Sequence, residues 1–397
     1  MPIIEPSPAS PSSVSARRFA LWQLGFRPFY ALASLFAALS IAAWAAQVAG
    51  WLGRPYLAGP LWHGHEMVFG FALAVIVGFL LTAVRNWAQQ PTPTGPVLAA
   101  LVVLWLAGRL LVTTPFNVAA AVIGPIFPLA CAAAIAVPLA RAGNRRNYFF
   151  VAVLVAIAGA DAAFHLSMLG VLNVAPALEV RVALDLVLIV MAAMAGRVIP
   201  MFTNNGVPGA GAVGIPALDK TALALLAALA IADAAGMQGT ATGVLAVCAA
   251  VAHGVRWLLW RPWKTLRAPL VWSLHVAYAW IPVHLALRAA VAWGWAGGSA
   301  ATHALTVGAI GGLTTAMMTR TALGHTGRPL AAHRSEVAIY LLVLAAAVVR
   351  VVVPVAVEQW AVRAIDVSAC LWSAAFLLYL FRYGPMLLRP RIDSKPG

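Results

Sequence analysis

The densest group of reactive side chains is Trp62-His63-Gly64-His65-Glu66-Met67, two imidazoles and a carboxylate in an otherwise apolar stretch. Ionisable groups at the edge of a hydrocarbon phase cost free energy unless they pair or bind something. On a helix His63 and His65, two apart, point to different sides, whereas His63 and Met67 share a face. One regular helix therefore does not offer both imidazoles to one ion, and partners have to come from other helices. His303 is such a partner, opening the run His303-Ala304-Leu305-Thr306-Val307-Gly308-Ala309-Ile310-Gly311-Gly312. Gly308 and Gly312 make a GxxxG spacing that lets a helix, or a flat macrocycle, come close to the backbone. Gly70, Ala74 and Gly78 repeat the feature after the first cluster. Helix packing alone explains the glycines; joined to histidines at matching depth, they suit a b-type haem with axial imidazoles. His63, His65 and His303 are the first candidates for the ligands, with Gly308 and Gly312 beside the porphyrin.

Asp161 and His165 are four apart, so the carboxylate can orient the imidazole as a metal ligand. Counting residues along each helix puts His165 and His284 in the same outer half of the membrane as the first cluster. His63, His65, His165, His284 and His303 are thus expected in one region, enough for a haem and a copper ion, since imidazole suits both metals. Each taken alone reads equally well as a hydrogen-bonded packing histidine. Glu66, Asp161 and Asp185 are the carboxylates expected to relay protons, and Arg109 is a further intramembrane charge. His253 and His275 fall nearer the middle or the other side, and His325 and His333 in a loop on that other side. No CxxCH for covalent haem and no nucleotide motif is present. Cys131, Cys248 and Cys370 lie in separate apolar runs and read as small core residues.

These residues must be positioned by membrane helices. The 397 residues are 63% hydrophobic and 9% charged, with mean hydropathy +0.90, too little polar surface to cover a water-soluble globule. Apolar runs long enough to span occur at 28–50, 62–84, 97–115, 117–140, 147–171, 181–203, 219–236, 241–260, 269–290, 302–323, 336–356 and 362–388. The fold class expected is all-α, a polytopic bundle of about 12 transmembrane helices. Lys and Arg number 26 against 11 Asp and Glu. Six of them, Arg54, Arg109, Arg181, Arg288, Arg350 and Arg363, fall on the outer side or inside helices. The remaining 20 of the 26 fall on the side of both termini, which the positive-inside rule makes cytoplasmic. The basic excess is then a topology signal: the partner is membrane lipid, and nucleic acid is discounted. Residues 1–24 read as a disordered cytoplasmic tail, 25–390 as a single transmembrane domain and 391–397 as a second cytoplasmic tail. Half-and-half internal symmetry, frequent in transporters, is not visible.

Trp62 to Met67 with Gly70, Gly78-Phe79-Leu80-Leu81-Thr82-Ala83 and Asn86-Trp87 resembles the signature of the NnrS family. Gly25-Phe26-Arg27-Pro28-Phe29, Gly196 to Asn205, His303 to Gly308, Met317 to Arg320 and Leu323 to Arg328 resemble further family segments in the same order. The resemblance implies a bacterial inner (cytoplasmic) membrane protein that binds haem and copper, is linked to denitrification and nitric-oxide stress, and has nitric oxide as ligand or substrate. His325 and Arg328 match the family pattern too, which allows them a separate cytoplasmic role. A remoter likeness is to haem-copper oxidases and nitric-oxide reductases, but helices 6 and 7 here lack their histidines and helix 10 has one. The leading expectation is a haem-binding or haem-copper protein acting in nitric-oxide resistance by binding NO or by reducing it, the latter as an NO-metabolising oxidoreductase with an unknown electron donor. A transporter of a metal or nitrosylated species, and a non-catalytic haem sensor or assembly factor, are the alternatives.

Overall fold

A computed structural model describes residues 19–51 and 55–393. Among these residues the regular structure is helical throughout, in twelve long helices: α1 Phe26–Val48, α2 Gly59–Ala88, α3 Gly95–Leu111, α4 Asn117–Arg141, α5 Tyr148–Met168, α6 Pro176–Gly206, α7 Pro216–Ala234, α8 Thr240–Leu259, α9 Pro269–Ala292, α10 298–325, α11 Arg334–Ala356 and α12 Ala361–Leu388. Nine of them are long and apolar enough to cross a membrane. The other three depart for local reasons. α3 has 17 residues; α7 holds Asp219, Lys220 and Asp233; and α10 is diluted by Thr, Gly and Arg320.

Five helices have Pro at one of their first two positions, where a missing N–H costs nothing: α2, α3, α6, α7 and α9. Consecutive helices pack as neighbours, and α1 lies along α12. From Met67 to Val84 α2 is almost wholly apolar, the pattern of a helix surrounded by protein. Its apolar stretch is 89% buried against 33% for α11 and for α12. Large apolar side chains such as Leu110, Val122 and Phe381 point outward from the peripheral helices, as a lipid solvent allows.

The Gly25-Phe26-Arg27-Pro28-Phe29 segment is a structural joint. Arg27 is fully buried, and its Nη1 donates to the carbonyls of Met386 (3.3 Å), Leu387 (2.9 Å) and Arg389 (2.7 Å). These are carbonyls at the C-terminus of α12, which an ending helix leaves without partners. The Phe26 N–H donates to Thr82 Oγ1 at 3.0 Å, joining the same corner to α2. Arg27→Ala is expected to cost on the order of 2–3 kcal/mol, read as an earlier thermal unfolding midpoint of the detergent-solubilised chain; an unchanged midpoint would contradict this role.

The described ends of the chain are held more firmly than a tail to residue 24 or from 391 implies. Leu21–Gln23 forms a 3-10 turn, Ala20 and Leu24 are buried, and the Ala20 N–H donates to the Leu388 carbonyl at 2.8 Å. The Ile392 N–H likewise donates to Thr326 O at 3.2 Å. Apolar side chains at 20, 21, 22 and 24 give this stretch surface to bury. The rest of the expected tails, residues 1–18 and 394–397, with Arg17, Arg18 and Lys395, and Arg54 in the α1–α2 loop, lie outside the described residues.

Candidate functional site

Both helices that carry the first-choice histidines change their winding directly after them. α2 runs in π-helical turns over Glu66–Ala72, after His65, and α10 over Ala304–Gly311, after His303. Such turns are rare and gather at functional sites. Met67, Val68 and Phe71 of the first and Thr306, Val307 and Ile310 of the second line one cavity of about 410 Å³, together with His63 and His303. His63 stacks on Trp44 at 4.5 Å between centroids, and its buried Nδ1 has no hydrogen-bond partner. His303 Nδ1 is 2.7 Å from the Ser299 carbonyl. The carbonyl only accepts, so Nδ1 carries the proton and the Nε2 lone pair is left for a ligand. Arg350 lines the same cavity and donates to Ser299 Oγ at 3.0 Å.

His65 faces away from that cavity into a buried charged cluster. Its Nδ1 is 2.8 Å from Glu66 Oε1 and its Nε2 is 2.9 Å from Asp161 Oδ1. Carboxylate oxygens accept, so each of the two contacts holds one proton. Arg109 Nη1 lies 2.9 Å from the same Glu66 oxygen. Four residues earlier on α3, Trp105 Nε1 donates to the carbonyl of Gly70, within the π-helical turns of α2, at 3.0 Å. His165 comes from one turn beyond Asp161 on α5, with its Nε2 3.5 Å from Asp161 Oδ1. Its Nδ1 is 3.1 Å from the Tyr56 hydroxyl, whose pKa is pushed up to about 12 by burial and by the Asp161 charge. A phenol kept neutral can donate or accept, so it orients His165 in either tautomer.

His65, Asp161 and His165 each offer a ligand atom within 4.8 Å of the others, all three being buried. Two of the buried atoms there, Asp161 Oδ2 and His165 Nε2, have no hydrogen-bond partner. A side chain at Gly124 of α4 would fill the gap between them, for its Cβ would lie 2.8 Å from Asp161 Oδ2 and 3.1 Å from His165 Nε2. Two imidazoles and a carboxylate around a space kept open by glycine suit a transition-metal ion.

The other expected residues are placed differently. His284 Nδ1 donates to the Ala301 carbonyl at 2.7 Å, so it packs α9 on α10 and lines neither site. Five histidines expected in one region therefore divide into a pair, His63 with His303, another pair, His65 with His165, and His284 apart. Asp185 is bound to Arg288 at 2.8 Å, and Arg288 also holds Asp233 at 2.6 Å. The third relay carboxylate therefore belongs to an ion group that shares no partner with Glu66 or Asp161. Gly308 and Gly312 turn to α9: a Cβ at 308 would strike Trp280, and one at 312 would lie 2.6 Å from the Ala277 side chain. The groove expected to face a porphyrin is filled by a neighbouring helix. Gly312→Val is expected to lower the unfolding midpoint, at about 1–3 kcal/mol for an overpacked contact, while leaving any bound cofactor unchanged; a cofactor lost from a stably folded variant would return Gly312 to the site. His325 lies beside Phe26, ring centroids 5.6 Å apart and planes tilted, far along α10 from His303.

Tyr56, Gly124, Trp44 and Arg350 were not apparent as site residues from sequence. Tyr56 sits in a loop, Gly124 is one small residue among many, and Arg350 reads as a basic residue near a helix end. The family described as NnrS protein matches the chain over residues 20–391. No curated protein matches it.

Proposed function

The chain belongs to the NnrS family, and from that premise we propose a multi-pass protein of the bacterial inner membrane that binds haem and a copper ion in defence against nitric oxide. The topology proposed with it is twelve spans with both termini cytoplasmic, consistent with the basic loops. The observation that carries the reading is the cavity shared by His63 and His303, each with a ring nitrogen free of protein partners. Two such imidazoles on α2 and α10, the rings of Trp44 and Trp372, and a guanidinium at Arg350 are residues that would hold a haem by its iron, its flat faces and its carboxylates. Haem held there would supply an iron that exchanges single electrons and, where one imidazole alone ligates it, a position for NO.

The residues around it do the remaining work. Ser299 holds His303 in the tautomer that leaves Nε2 free, and Trp44 keeps the His63 ring flat against α1. His65, Asp161 and His165 would hold copper, with Gly124 keeping the space. Without a metal there, Glu66, His65 and Asp161 form a carboxylate–imidazole–carboxylate line with a proton on each contact, an arrangement that can pass a proton without water; with the ion bound, the proton between His65 and Glu66 remains. Nitric oxide is uncharged and reaches such a buried site through lipid.

The test is a reduced-minus-oxidised absorption spectrum of the purified chain with haem and copper quantified. A b-type spectrum with close to one haem per chain is expected, after which NO consumption with a chemical reductant separates turnover from binding. Haem-free protein from haem-supplied cells would overturn the reading.

A further inference from the structure

A second chamber, of about 790 Å³, opens at the other end of the bundle. Trp87, which lines it, is near the C-terminus of α2, whose N-terminal turns carry His63. Four cations line it, Arg146, Arg197, Lys220 and Arg256, against the single carboxylate of Asp219. Basic residues gather at cytoplasmic helix ends as a topology signal, with long side chains extended to water. Two of these do otherwise.

Arg256 is 2% exposed. Its Nε donates to Asp219 Oδ1 at 2.6 Å, and its Nη1 donates to the Ala192 carbonyl at 3.0 Å and the Tyr278 hydroxyl at 3.1 Å. Nη2 takes part in none of these bonds and lies against the backbone of Gly196, where a Cβ would coincide with the guanidinium. Gly196 lines the chamber, so the glycine makes room for a buried cation at its wall. Arg197, the next residue, is half-buried; its Nη1 donates to the Asn147 side chain at 2.7 Å, and its guanidinium lies over the rings of Phe150 at 5.3 Å and Trp87 at 5.9 Å. Among the described residues no carboxylate pairs with Arg197. Asn147 and the two rings therefore hold a charged, planar donor in a fixed orientation with its charge uncompensated.

The excess charge is three units over Asp219, and low-dielectric walls strengthen its field. Fixed guanidinium groups are the side chains best suited to phosphate and carboxylate oxygens, which they bind through paired N–H donors. We infer that this chamber binds an anion bearing a phosphate or carboxylate group, held between Arg197 and Arg256 with Arg146 and Lys220 at its mouth. The anion is either a soluble one or the headgroup of an anionic phospholipid, for both present the same oxygens.

The experiment uses full-length protein, wild type, R197Q, K220Q and G196A, with two probes. Pyrophosphate is titrated against the thermal unfolding midpoint in non-ionic detergent; retention of phosphatidylglycerol against phosphatidylcholine is read by native mass spectrometry. A soluble anion gives a midpoint that rises with pyrophosphate in the wild type and needs at least ~10-fold more pyrophosphate in R197Q and G196A. A lipid headgroup gives phosphatidylglycerol retained over phosphatidylcholine in the wild type and lost in those variants, with no response to pyrophosphate. K220Q, at the exposed mouth, weakens either response and does not disturb the buried arginines. The inference is overturned if the wild type responds to neither probe, or if R197Q and K220Q both respond as the wild type does.

Discussion

His63→Ala and His303→Ala are each expected to reduce bound haem by at least ~10-fold, or to leave a residue of haem whose spectrum has moved from two axial imidazoles to one. The two outcomes follow from the same geometry. The imidazoles line the cavity from different helices, so losing either would remove one of the two nitrogens that would hold the iron. Altering groups that merely orient a ligand typically costs 10–100-fold in metal affinity, and deleting the ligand itself should cost no less. Cavity formation is not a competing explanation for a spectral shift, because an apolar void changes stability without changing axial ligation. His284→Ala, whose ring bonds to the Ala301 carbonyl outside the cavity, is the matched control, expected to keep wild-type haem content. Wild-type occupancy and an unshifted spectrum in both His63→Ala and His303→Ala would remove the assignment.

Much of the scaffold was readable because each helix carries its own signal. Every apolar run between 28–50 and 362–388 has a helix in the structure at the corresponding place, since a run of that length bounded by Pro, Gly and charge has few other uses in a membrane. Depth was readable too. His63 and His303 meet in one cavity because each lies near the start of its helix, and residue number along a helix fixes height. Direction was less accessible. π-helical turns follow His65 and His303, and each extra residue rotates what comes after by about 100° relative to an unbroken α-helix. Gly308 and Gly312 lie within and just beyond the second of these stretches, and they face Trp280 and Ala277. Nothing in local composition announces a π-turn, so the face occupied by those glycines could not be read from spacing.

Partners contributed by other helices were equally hidden. Asp161 and His165 were legible as a pair because they are four apart. That His65 joins them, 96 positions away in sequence, depends on how α2 and α5 pack. Asp185 illustrates the same limit: a lone intramembrane carboxylate suggests a proton path, but Arg288 of α9 and Asp233 of α7 convert it into a bridged ion group.

Gly124→Ala is expected to remove most of the copper from the His65–Asp161–His165 site while leaving haem in place. The argument rests on two buried atoms, Asp161 Oδ2 and His165 Nε2, that lack partners. A buried polar group left unsatisfied costs about 1–3 kcal/mol, so the pair is maintained at a cost that a bound cation would offset. A metal would bind the two free atoms and replace the proton shared by His65 Nε2 and Asp161 Oδ1. The alanine methyl would stand 2.8 Å and 3.1 Å from the two free atoms, occupying the place of the ion without deleting any ligand. Asp161→Ala is the harsher companion: it removes the carboxylate that faces both imidazoles, and breaking a buried charged pair costs about 3–5 kcal/mol. That variant should lose copper and unfold earlier, whereas Gly124→Ala should lose copper with a smaller change in midpoint. Copper per chain by elemental analysis, set beside haem content and the unfolding midpoint, separates the two effects. Copper retained at the wild-type level by folded Gly124→Ala and His165→Ala proteins would move the metal elsewhere and leave the cluster as a proton-carrying ion network centred on His65, Glu66 and Arg109.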